Sequence, residues 1–423
     1  MNGNVKINQL ENGLRYITVP IPGVKSATAL ALVKAGTRYE TSDNNGISHF
    51  LEHMVFKGTE KMPTALDIAT KVDSIGGSFN AFTGKEYTGY YVTAAVSHLD
   101  LAMDVVSQLI FHPRLPKREL EVERGVILEE IRMYEDEPQA RVSQLFDQVM
   151  FSPATLGWDT LGKPEIIKSL PQEAFKEYLD YLYVPNRIVV VVAGGISEET
   201  NGKVKAQLTK YFGKEKPNTK FNERHFTFKQ TKPKKKVIVK PTEQCHLIYG
   251  YRTFGRDNEN RYALSVLATV LGGGMSSRLF TEIREKRGLA YYVGSVRDTY
   301  TESGYVGMRA GTKPESAQQV LDIAQAEFSK LHSEPISDKE LTKAKEYIKG
   351  HLLLRLENSY EVAGFFAEDL LMEDKTRSID EVLAKVDAVK AEDVQRLAGE
   401  LFIDKSKNVA AIGPSKVVEK LAI

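Results

Sequence analysis

The chain of 423 residues carries an internal repeat, in which segments of its first half match segments of its second half. One match pairs TGYYVTAAVSHLDLAMDVVSQLI (88–110) with SGYVGMRAGTKPESAQQVLDIAQ (303–325). Another pairs KRELEVERGVILEEI (117–131) with DKELTKAKEYIKGHL (338–352). The matches keep their order and nearly the same offset, which is typical of a duplicated structural unit. The sequence therefore predicts two homologous domains.

Both strand patterns and helix patterns occur in the chain. Apolar runs bounded by turn residues predict strands at 26–33, 87–96 and 187–195. Helical periodicity predicts helices at 98–110, 117–134 and 171–183. We predict an α+β fold of two homologous domains, each a mainly antiparallel sheet packed with helices.

A stretch rich in Lys, Pro and Asn separates the two halves. We place this linker at 216–242, between an N-terminal domain at 1–215 and a C-terminal domain at 243–423. Its basic run KPKKK (232–236) has no aromatic neighbours, so we expect a solvated linker rather than a nucleic-acid site. The formal net charge of +1 likewise favours neither nucleic acid nor an anionic membrane as a partner.

Composition is that of a globular protein, with 42% hydrophobic and 27% charged residues. No apolar run reaches the roughly 18 residues that a membrane-spanning helix needs. The N-terminal residues resemble neither a secretory leader nor a transit segment. We therefore expect no membrane association and a cytoplasmic location. The single cysteine, Cys245, is expected to be buried in a strand and forms no internal disulfide.

The motif H-x-x-E-H lies in GISHFLEHMVFK (46–57) and consists of His49, Glu52 and His53. The repeat aligns this segment with GMSSRLFTEIRE (274–285), where serine, phenylalanine and threonine occupy the same three positions. If packing required the polar residues, both copies would be expected to retain them. Their restriction to one copy indicates a chemical role.

Residues four apart share one face of a helix, so His49 and His53 present both imidazoles to one point. Neutral imidazoles suit zinc, which they bind at roughly 2.0–2.1 Å. The alternative is a helix with two ordinary histidines, exposed or satisfied within the core. A catalytic zinc also needs a third protein ligand and an open position for water.

The helix predicted at 117–134 is rich in glutamate and offers such a ligand. Glu123, Ile127 and Glu130 fall at i, i+4 and i+7, on one face. One carboxylate can bind the metal while the other hydrogen-bonds a ligand. The aligned positions of the second copy hold alanine and histidine, so this pair is also confined to the first copy. For any single glutamate here, solvated surface is the alternative.

Together these motifs resemble the pitrilysin family of zinc metallopeptidases, whose H-x-x-E-H order is inverted relative to ordinary zincins. The resemblance extends to ERGVILEE (123–130), GGSFNAFTGKEYTGYY (76–91) and GGGMSSRLFTEIREKRGLAYYVGS (272–295), and it covers essentially the whole chain. The size and the two domains resemble the short branch of the family, which contains the mitochondrial processing peptidase and bacterial processing-type peptidases.

This resemblance implies one Zn²⁺ per chain, bound by His49, His53 and Glu130. It implies Glu52 as the general base and Glu123 as a catalytic-site residue that supports a ligand by hydrogen bonding. Glu129 is the neighbour that is most easily confused with the ligand. The implied activity is that of a zinc-dependent endopeptidase, which hydrolyses peptides or unfolded segments inside a clamshell chamber.

Substrate-binding residues are predicted in both halves. SFNAFTGKEYTGYYV reads as a hairpin, and an exposed first strand can bind an extended peptide through main-chain hydrogen bonds. The resemblance implies Asn80, Ala81 and Phe82 as the substrate contacts, with a plain sheet strand as the alternative. It also implies Arg284 as a substrate anchor and Tyr291 as a donor to the oxyanion. Without the resemblance, the sequence would indicate a surface position for Arg284 and a core position for Tyr291.

The short branch works as a dimer, so the resemblance implies a homodimer in which Arg284 and Tyr291 act in trans.

The sequence departs from the mitochondrial processing peptidase in a stretch that bears on substrate preference. The mitochondrial processing peptidase holds a basic substrate residue with acidic side chains beyond its ligand Glu, whereas the comparable stretch EPQARVSQLF (137–146) offers Gln139, Ala140, Arg141 and Gln144. We therefore expect a generic oligopeptidase.

A non-catalytic scaffold or partner subunit of the same fold is the competing function. A scaffold has no reason to keep metal ligands and a base together, and His49, His53, Glu130 and Glu52 are all present. The intact set therefore favours the peptidase.

Overall fold

The computed structural model describes residues 5–423, except for the side chains of residues 198–200. The described chain forms two compact units. Unit 1 contains the residues through Ile131, together with Asp159–Arg224 and Leu353–Ile379. Unit 2 contains Arg132–Trp158, His225–Leu352 and Asp380–Ile423.

Unit 1 is built on a six-stranded sheet in the order β1-β2-β6-β3-β5-β4. Its strands are β1 (Asn8–Gln9), β2 (Arg15–Pro20), β3 (Ser26–Val33), β4 (Ser78–Thr83), β5 (Thr88–Ala95) and β6 (Ile188–Gly194). Only β2 and β6 pair in parallel, and the other neighbours are antiparallel. The edge strand β4 pairs with β5 alone.

Eight helices accompany this sheet in whole or in part. They are α1 (Ile47–Val55), α2 (Ala65–Asp73), α3 (Leu99–Phe111), α4 (Lys117–Asp136), α6 (Pro164–Ser169), α7 (Gln172–Leu182), α8 (Glu198–Phe212) and α12 (Ser359–Glu373). The helix α4 begins in unit 1 and its last residues belong to unit 2.

The central strands of unit 1 are covered on both faces. Every residue of β6 is buried, as is every residue of β3 after Ser26. Because side chains alternate between the two faces of a strand, continuous burial requires packing on both sides. The helices α3 and α12 both contact β3 and supply this packing. The unbroken apolar runs of these strands follow from that double coverage.

Unit 2 repeats the design with a five-stranded sheet in the order β7-β11-β8-β10-β9. Its strands are β7 (Lys234–Val239), β8 (Cys245–Phe254), β9 (Ala290–Thr299), β10 (Ser303–Thr312) and β11 (Lys407–Gly413). Its helices are α5 (Pro138–Phe151), α9 (Arg261–Gly272), α10 (Ala317–Ser333), α11 (Asp338–Arg355), α13 (Ile379–Asp387), α14 (Ala391–Leu401) and α15 (Ser415–Val418). A short π-helix spans Phe280–Glu285.

The two sheets have the same strand order once β1 is set aside, and in each the parallel pair occupies the same place. The predicted α+β fold of two homologous, mainly antiparallel domains is therefore confirmed. Cys245 is buried at the start of β8, as expected.

Each unit contains one helix that comes from the other half of the sequence. The helix α12 packs on β3 and β6 of unit 1, and α5 packs on β11 and β8 of unit 2. Ser359 of α12 hydrogen-bonds Thr28 of β3 (2.9 Å between the hydroxyl oxygens), and the ring of Tyr360 packs at a tilt against that of Tyr91 of β5. The compact units therefore differ from the predicted spans 1–215 and 243–423, which remain a prediction about the duplicated sequence segments.

The predicted linker 216–242 contains the strand β7, and the last three lysines of its basic run, 234–236, lie in that strand rather than in a solvated linker. The amine of Lys235 donates to the carbonyl oxygen of Leu421 (2.8 Å), and that of Lys236 to the side chain of Gln148 (2.6 Å). Lysine is common in edge strands because its charge discourages further pairing. The charge of the run concealed the strand in the sequence.

Among the described residues, no helix combines the length and the apolar character that crossing a membrane requires.

The positions of α12 and α5 predict which unit is destabilised by each of two equivalent core substitutions. Phe366 of α12 and Phe146 of α5 are both almost fully buried, and Phe146 packs edge-on against Tyr305 of unit 2. We expect Phe366→Ala to destabilise unit 1 and Phe146→Ala to destabilise unit 2, each by about 3–5 kcal/mol. Hydrogen exchange should show lost protection in β3 for the first variant and in β8 for the second. The opposite pattern would contradict the assignment of α12 to unit 1 and of α5 to unit 2.

Candidate metal centre

The helix α1 carries the H-x-x-E-H residues on one face and core residues on the other. Phe50, Leu51 and Met54 are fully buried, whereas His49, Glu52 and His53 are partly accessible. This division follows from the helical period, which separates residues 49, 52 and 53 from the apolar positions between them. The helix is thus fixed through its apolar face and presents its polar face to solvent.

His49, His53 and Glu130 form one cluster of possible ligands, whose atoms lie within 4.8 Å of one another. Glu130 Oε2 lies 3.6 Å from Nε2 of His49 and 3.6 Å from Nε2 of His53. These separations are longer than hydrogen bonds. They are close to the spacing of about 3.3 Å expected between ligands that share a tetrahedral zinc with bonds of roughly 2.0–2.1 Å. The arrangement therefore fits a shared metal ion.

The protonation of His49 agrees with this fit. Burial, and secondarily the neighbouring His53, lower the pKa of His49 to about 3. Its imidazole is therefore neutral at pH 7, which is the form that binds a metal.

The carboxylate of Glu123 supports His53 from the side opposite the cluster. Its Oε2 lies 3.0 Å from Nδ1 of His53, while its Oε1 lies 2.6 Å from Nζ of Lys57. A carboxylate that accepts a hydrogen bond from Nδ1–H favours the tautomer in which Nε2 carries no proton and is free to bind a metal. Glu123 and Glu130 lie on one face of α4 and take different positions around the histidines.

Glu52 stands beside the cluster with one oxygen already held. The hydroxyl of Thr83, the last residue of β4, donates to Glu52 Oε2 (2.5 Å). Burial raises the pKa of Glu52, and the Thr83 hydrogen bond and His53 oppose that rise. A raised carboxylate pKa brings a group closer to the range in which it can both accept and return a proton.

The predicted substrate strand is β4, whose outer edge pairs with no described strand. Asn80 is exposed, and its Oδ1 accepts a hydrogen bond from the backbone N–H of Ala81 (2.9 Å). Ala81 is buried, and the ring of Phe82 lies against Tyr87 and over Gly89. The three residues thus differ in what they offer to a peptide: a side-chain amide, a backbone and an aromatic ring.

Arg284 and Tyr291 are neighbours within unit 2. Arg284 lies in the short π-helix, and its guanidinium carbon is 5.8 Å from the centre of the Tyr291 ring and 5.1 Å from that of Phe280. Tyr291 is 76% exposed at the start of β9. The structure brings this predicted pair together, with the tyrosine hydroxyl available to solvent. Their action on a zinc site stays a prediction.

Three supporting residues were missed in the sequence: Glu40, Lys57 and Thr83. Lys57 follows His53 by four positions, so helical spacing alone could have suggested it. Thr83 ends the strand that was predicted to bind the substrate. Glu40, whose carboxylate accepts from the N–H groups of Gly46 and Ser48 at the start of α1, is seven residues before Ile47 and offers no local pattern.

Known proteins with similar sequences are zinc proteases by name. Residues 16–163 match the family described as insulinase (peptidase family M16), and residues 169–348 match the peptidase M16 inactive domain. The uncharacterized zinc protease YmxG of Bacillus subtilis is 37% identical over 97% of this chain and 98% of its own length. An uncharacterized zinc protease of Streptomyces coelicolor is 36% identical over 98% of this chain and 90% of its own.

Solved structures with the same fold include a protease from Helicobacter pylori. It is 26% identical to this chain, with a TM-score of 0.88 over 97% of this chain and 99% of that one. A peptidase M16 inactive domain from Pseudomonas fluorescens has the same TM-score of 0.88 at 18% identity, covering 98% and 99%. At that identity the second likeness concerns the fold alone.

Two adjacent glutamates provide a matched test of the ligand set. Glu130 belongs to the ligand cluster and Glu129 does not. We expect Glu130→Ala to lose most of its zinc, because a three-ligand site is reduced to two histidines. Glu129→Ala should retain the wild-type zinc content. Elemental analysis of the dialysed proteins measures both, and equal zinc in the two variants would contradict the assignment of Glu130.

Proposed function

The chain belongs to the insulinase family of peptidases (family M16), and on this premise we propose that it is a zinc-dependent endopeptidase acting on peptides or unfolded segments. The observation that carries the proposal is Glu52, a carboxylate placed beside a cluster of two imidazoles and Glu130. A site for metal storage or structure has no need of that carboxylate, whereas hydrolysis requires a base at this position.

His49, His53 and Glu130 would hold one zinc ion per chain. Zinc, when bound, polarises the scissile carbonyl and makes water more acidic. Glu52 accepts the proton of the attacking water and delivers it to the leaving amine. Thr83 holds one oxygen of Glu52 in place, so the other oxygen is left for proton transfer. Glu123 orients His53 and thereby the ligand atom.

The outer edge of β4 is the proposed binding site for the peptide backbone. An extended peptide can add to a free sheet edge through main-chain hydrogen bonds, which are largely independent of sequence. Asn80, Ala81 and Phe82 are the proposed contacts. This mode of binding supports a generic oligopeptidase, in keeping with the residues at 137–146 that replace an acidic arginine-binding set.

We further propose that Arg284 and Tyr291 act on the substrate at the zinc site of a partner subunit, in a homodimer that closes as a clamshell chamber. The exposed Tyr291 beside Arg284 supports a role in contacting another molecule. Arginine would anchor the substrate and the tyrosine hydroxyl would donate to the developing oxyanion. The cytoplasmic location expected from the sequence stays a prediction.

Replacing Glu52 separates catalysis from metal binding. We expect Glu52→Gln to lower the hydrolysis rate by roughly 10²–10⁴-fold, because the amide cannot accept the proton. Its zinc content should remain that of the wild type. A quenched-fluorescence peptide library, with and without a chelator, measures the rate, and Glu129→Gln provides a charge-matched control.

The same assay distinguishes the proposed peptidase from the alternative function. Stoichiometric zinc in the wild type without cleavage of any peptide would favour a scaffold or partner subunit of the same fold. Cleavage that survives in Glu52→Gln would also contradict the proposed mechanism.

Mixing two inactive chains tests action in trans. Glu52→Ala lacks the base, and Arg284→Ala lacks the anchor, so a mixed dimer keeps one complete site. We expect recovery of about a quarter of the wild-type activity after random exchange of subunits in a twofold dimer. A mixture of Glu52→Ala with His49→Ala is the control, since both changes damage the same site. No recovery in the first mixture would contradict sharing between subunits.

A further inference from the structure

The helix that carries the metal ligands has no cap of its own. The residue before α1 is Gly46, which adopts a left-handed backbone (φ 95°) and has no side chain to accept the first N–H groups. The carboxylate of Glu40 accepts instead from the N–H of Gly46 (2.9 Å), the N–H of Ser48 (3.1 Å) and the hydroxyl of Ser48 (2.6 Å). Because Ser48 precedes His49, Glu40 determines where the first turn of this helix begins.

Glu40 is in turn placed by the short 3₁₀ helix Thr37–Tyr39 that precedes it. The guanidinium of Arg38 in this turn is completely buried and forms an ion pair with the buried Glu86 (2.9 Å). The backbone N–H of Arg38 donates to the carbonyl oxygen of Lys85 (2.8 Å). The turn is therefore attached to the tip of the β4–β5 hairpin, whose first strand ends at Thr83.

The remaining side of this turn is covered by Phe221–Arg224, which we call the strap. These residues fall within the predicted linker but belong to unit 1. The carboxylate of Glu223 accepts a hydrogen bond from the hydroxyl of Tyr39 (2.9 Å). Arg224 donates to the backbone carbonyl of Glu40, and its own carbonyl accepts from Arg38. The strap thus contacts all three residues that lead into the cap.

Charge makes Glu223 the central residue of the strap. Its carboxylate lies 3.5 Å from the amine of Lys34 and 3.7 Å from each of the guanidinium groups of Arg38 and Arg187. Arg187 also stacks on Phe221, with 3.4 Å between the guanidinium carbon and the ring centre. The side chains of Arg38 and Arg187 are almost fully buried, whereas those of Glu223 and Lys34 are 27% and 25% exposed. Removing the carboxylate leaves the two buried guanidinium groups with less compensating charge, which is unfavourable. Without Glu223, the amine of Lys34 and the guanidinium groups of Arg38 and Arg187 would lose the carboxylate that they share.

From these contacts we propose that Glu223 and Arg224 are positioning residues for the metal-binding helix α1. They act indirectly: the strap contacts Arg38, Tyr39 and Glu40, and Glu40 accepts the hydrogen bonds at the N-terminus of α1. The chain that leaves unit 1 after Arg224 is thereby coupled to the metal centre. This inference deepens the proposed function, since it rests on zinc binding by His49, His53 and Glu130, but it does not depend on peptide hydrolysis.

The test compares two substitutions that remove the same charge. Glu223→Ala removes the carboxylate of the strap. Glu215→Ala removes a carboxylate eight residues earlier, whose only described ion pair is with His112 at 3.8 Å. The zinc dissociation constant of the full chain is measured by competition with a chromophoric chelator. We expect Glu223→Ala to bind zinc roughly tenfold more weakly, as for other residues that orient ligands indirectly. Glu215→Ala should bind as the wild type does.

A second readout distinguishes positioning from general loss of structure. Hydrogen exchange should become faster in residues 37–50 of Glu223→Ala while β3 and β6 keep their protection. Glu223→Gln retains an acceptor for Tyr39 and serves if the alanine variant does not fold, with an intermediate zinc affinity expected. Glu40→Ala removes the direct cap and should weaken zinc binding at least as much as Glu223→Ala.

Equal zinc affinity in Glu223→Ala and Glu215→Ala would overturn the inference, as would faster exchange spread evenly over unit 1. Wild-type protein that binds zinc without cleaving peptides would contradict the proposed peptidase and leave this comparison fully informative. Wild-type protein that binds no zinc would overturn both.

Discussion

Both faces of each sheet must be covered, and the position of every functional residue depends on that constraint. Strands such as β6 are buried throughout, so a sheet covered on one side would expose a continuous apolar surface. Each unit meets the requirement with a helix from the other half of the sequence, α12 in unit 1 and α5 in unit 2. The metal helix and the edge strand β4 are held on this rigid framework, which suits a site that requires precise geometry.

Duplication shows which polar residues the fold can do without. The strand order is shared by both sheets, yet the position that holds Glu123 in α4 corresponds to Ala344 in α11. Ala344 is buried, so the second copy fills with a methyl group the place where the first copy keeps a carboxylate. A buried carboxylate costs free energy unless it is paired, and Glu123 is paired with His53 and Lys57. In the first copy these two partners offset the cost of burying the carboxylate.

Support for the metal centre comes from several distant parts of the sequence. Thr83 comes from an edge strand, Glu123 from α4, and Glu40 from a turn that the strap covers. Each contributes a hydrogen bond to α1 or to a side chain on it. A site assembled in this way is sensitive to the placement of elements that carry no ligand, and this is why the proposed role of the strap follows from contacts rather than from any motif.

Local patterns in the sequence predicted the strands β3, β5 and β6, the helices α3, α4 and α7, and two histidines and two glutamates as candidates for a metal centre. Helical spacing alone placed His49 beside His53 and Glu123 on the face of Glu130, because a helix fixes which residues are neighbours. The repeat predicted two similar sheets for the same reason. The tertiary structure alone decided which helix covers which sheet, made Lys234–Val239 a strand, brought Glu40 and Thr83 to α1, and placed Glu223 against Tyr39 in the turn before it. Those contacts join residues whose separation along the chain follows no helical or strand period, so only the packing of the whole unit could specify them.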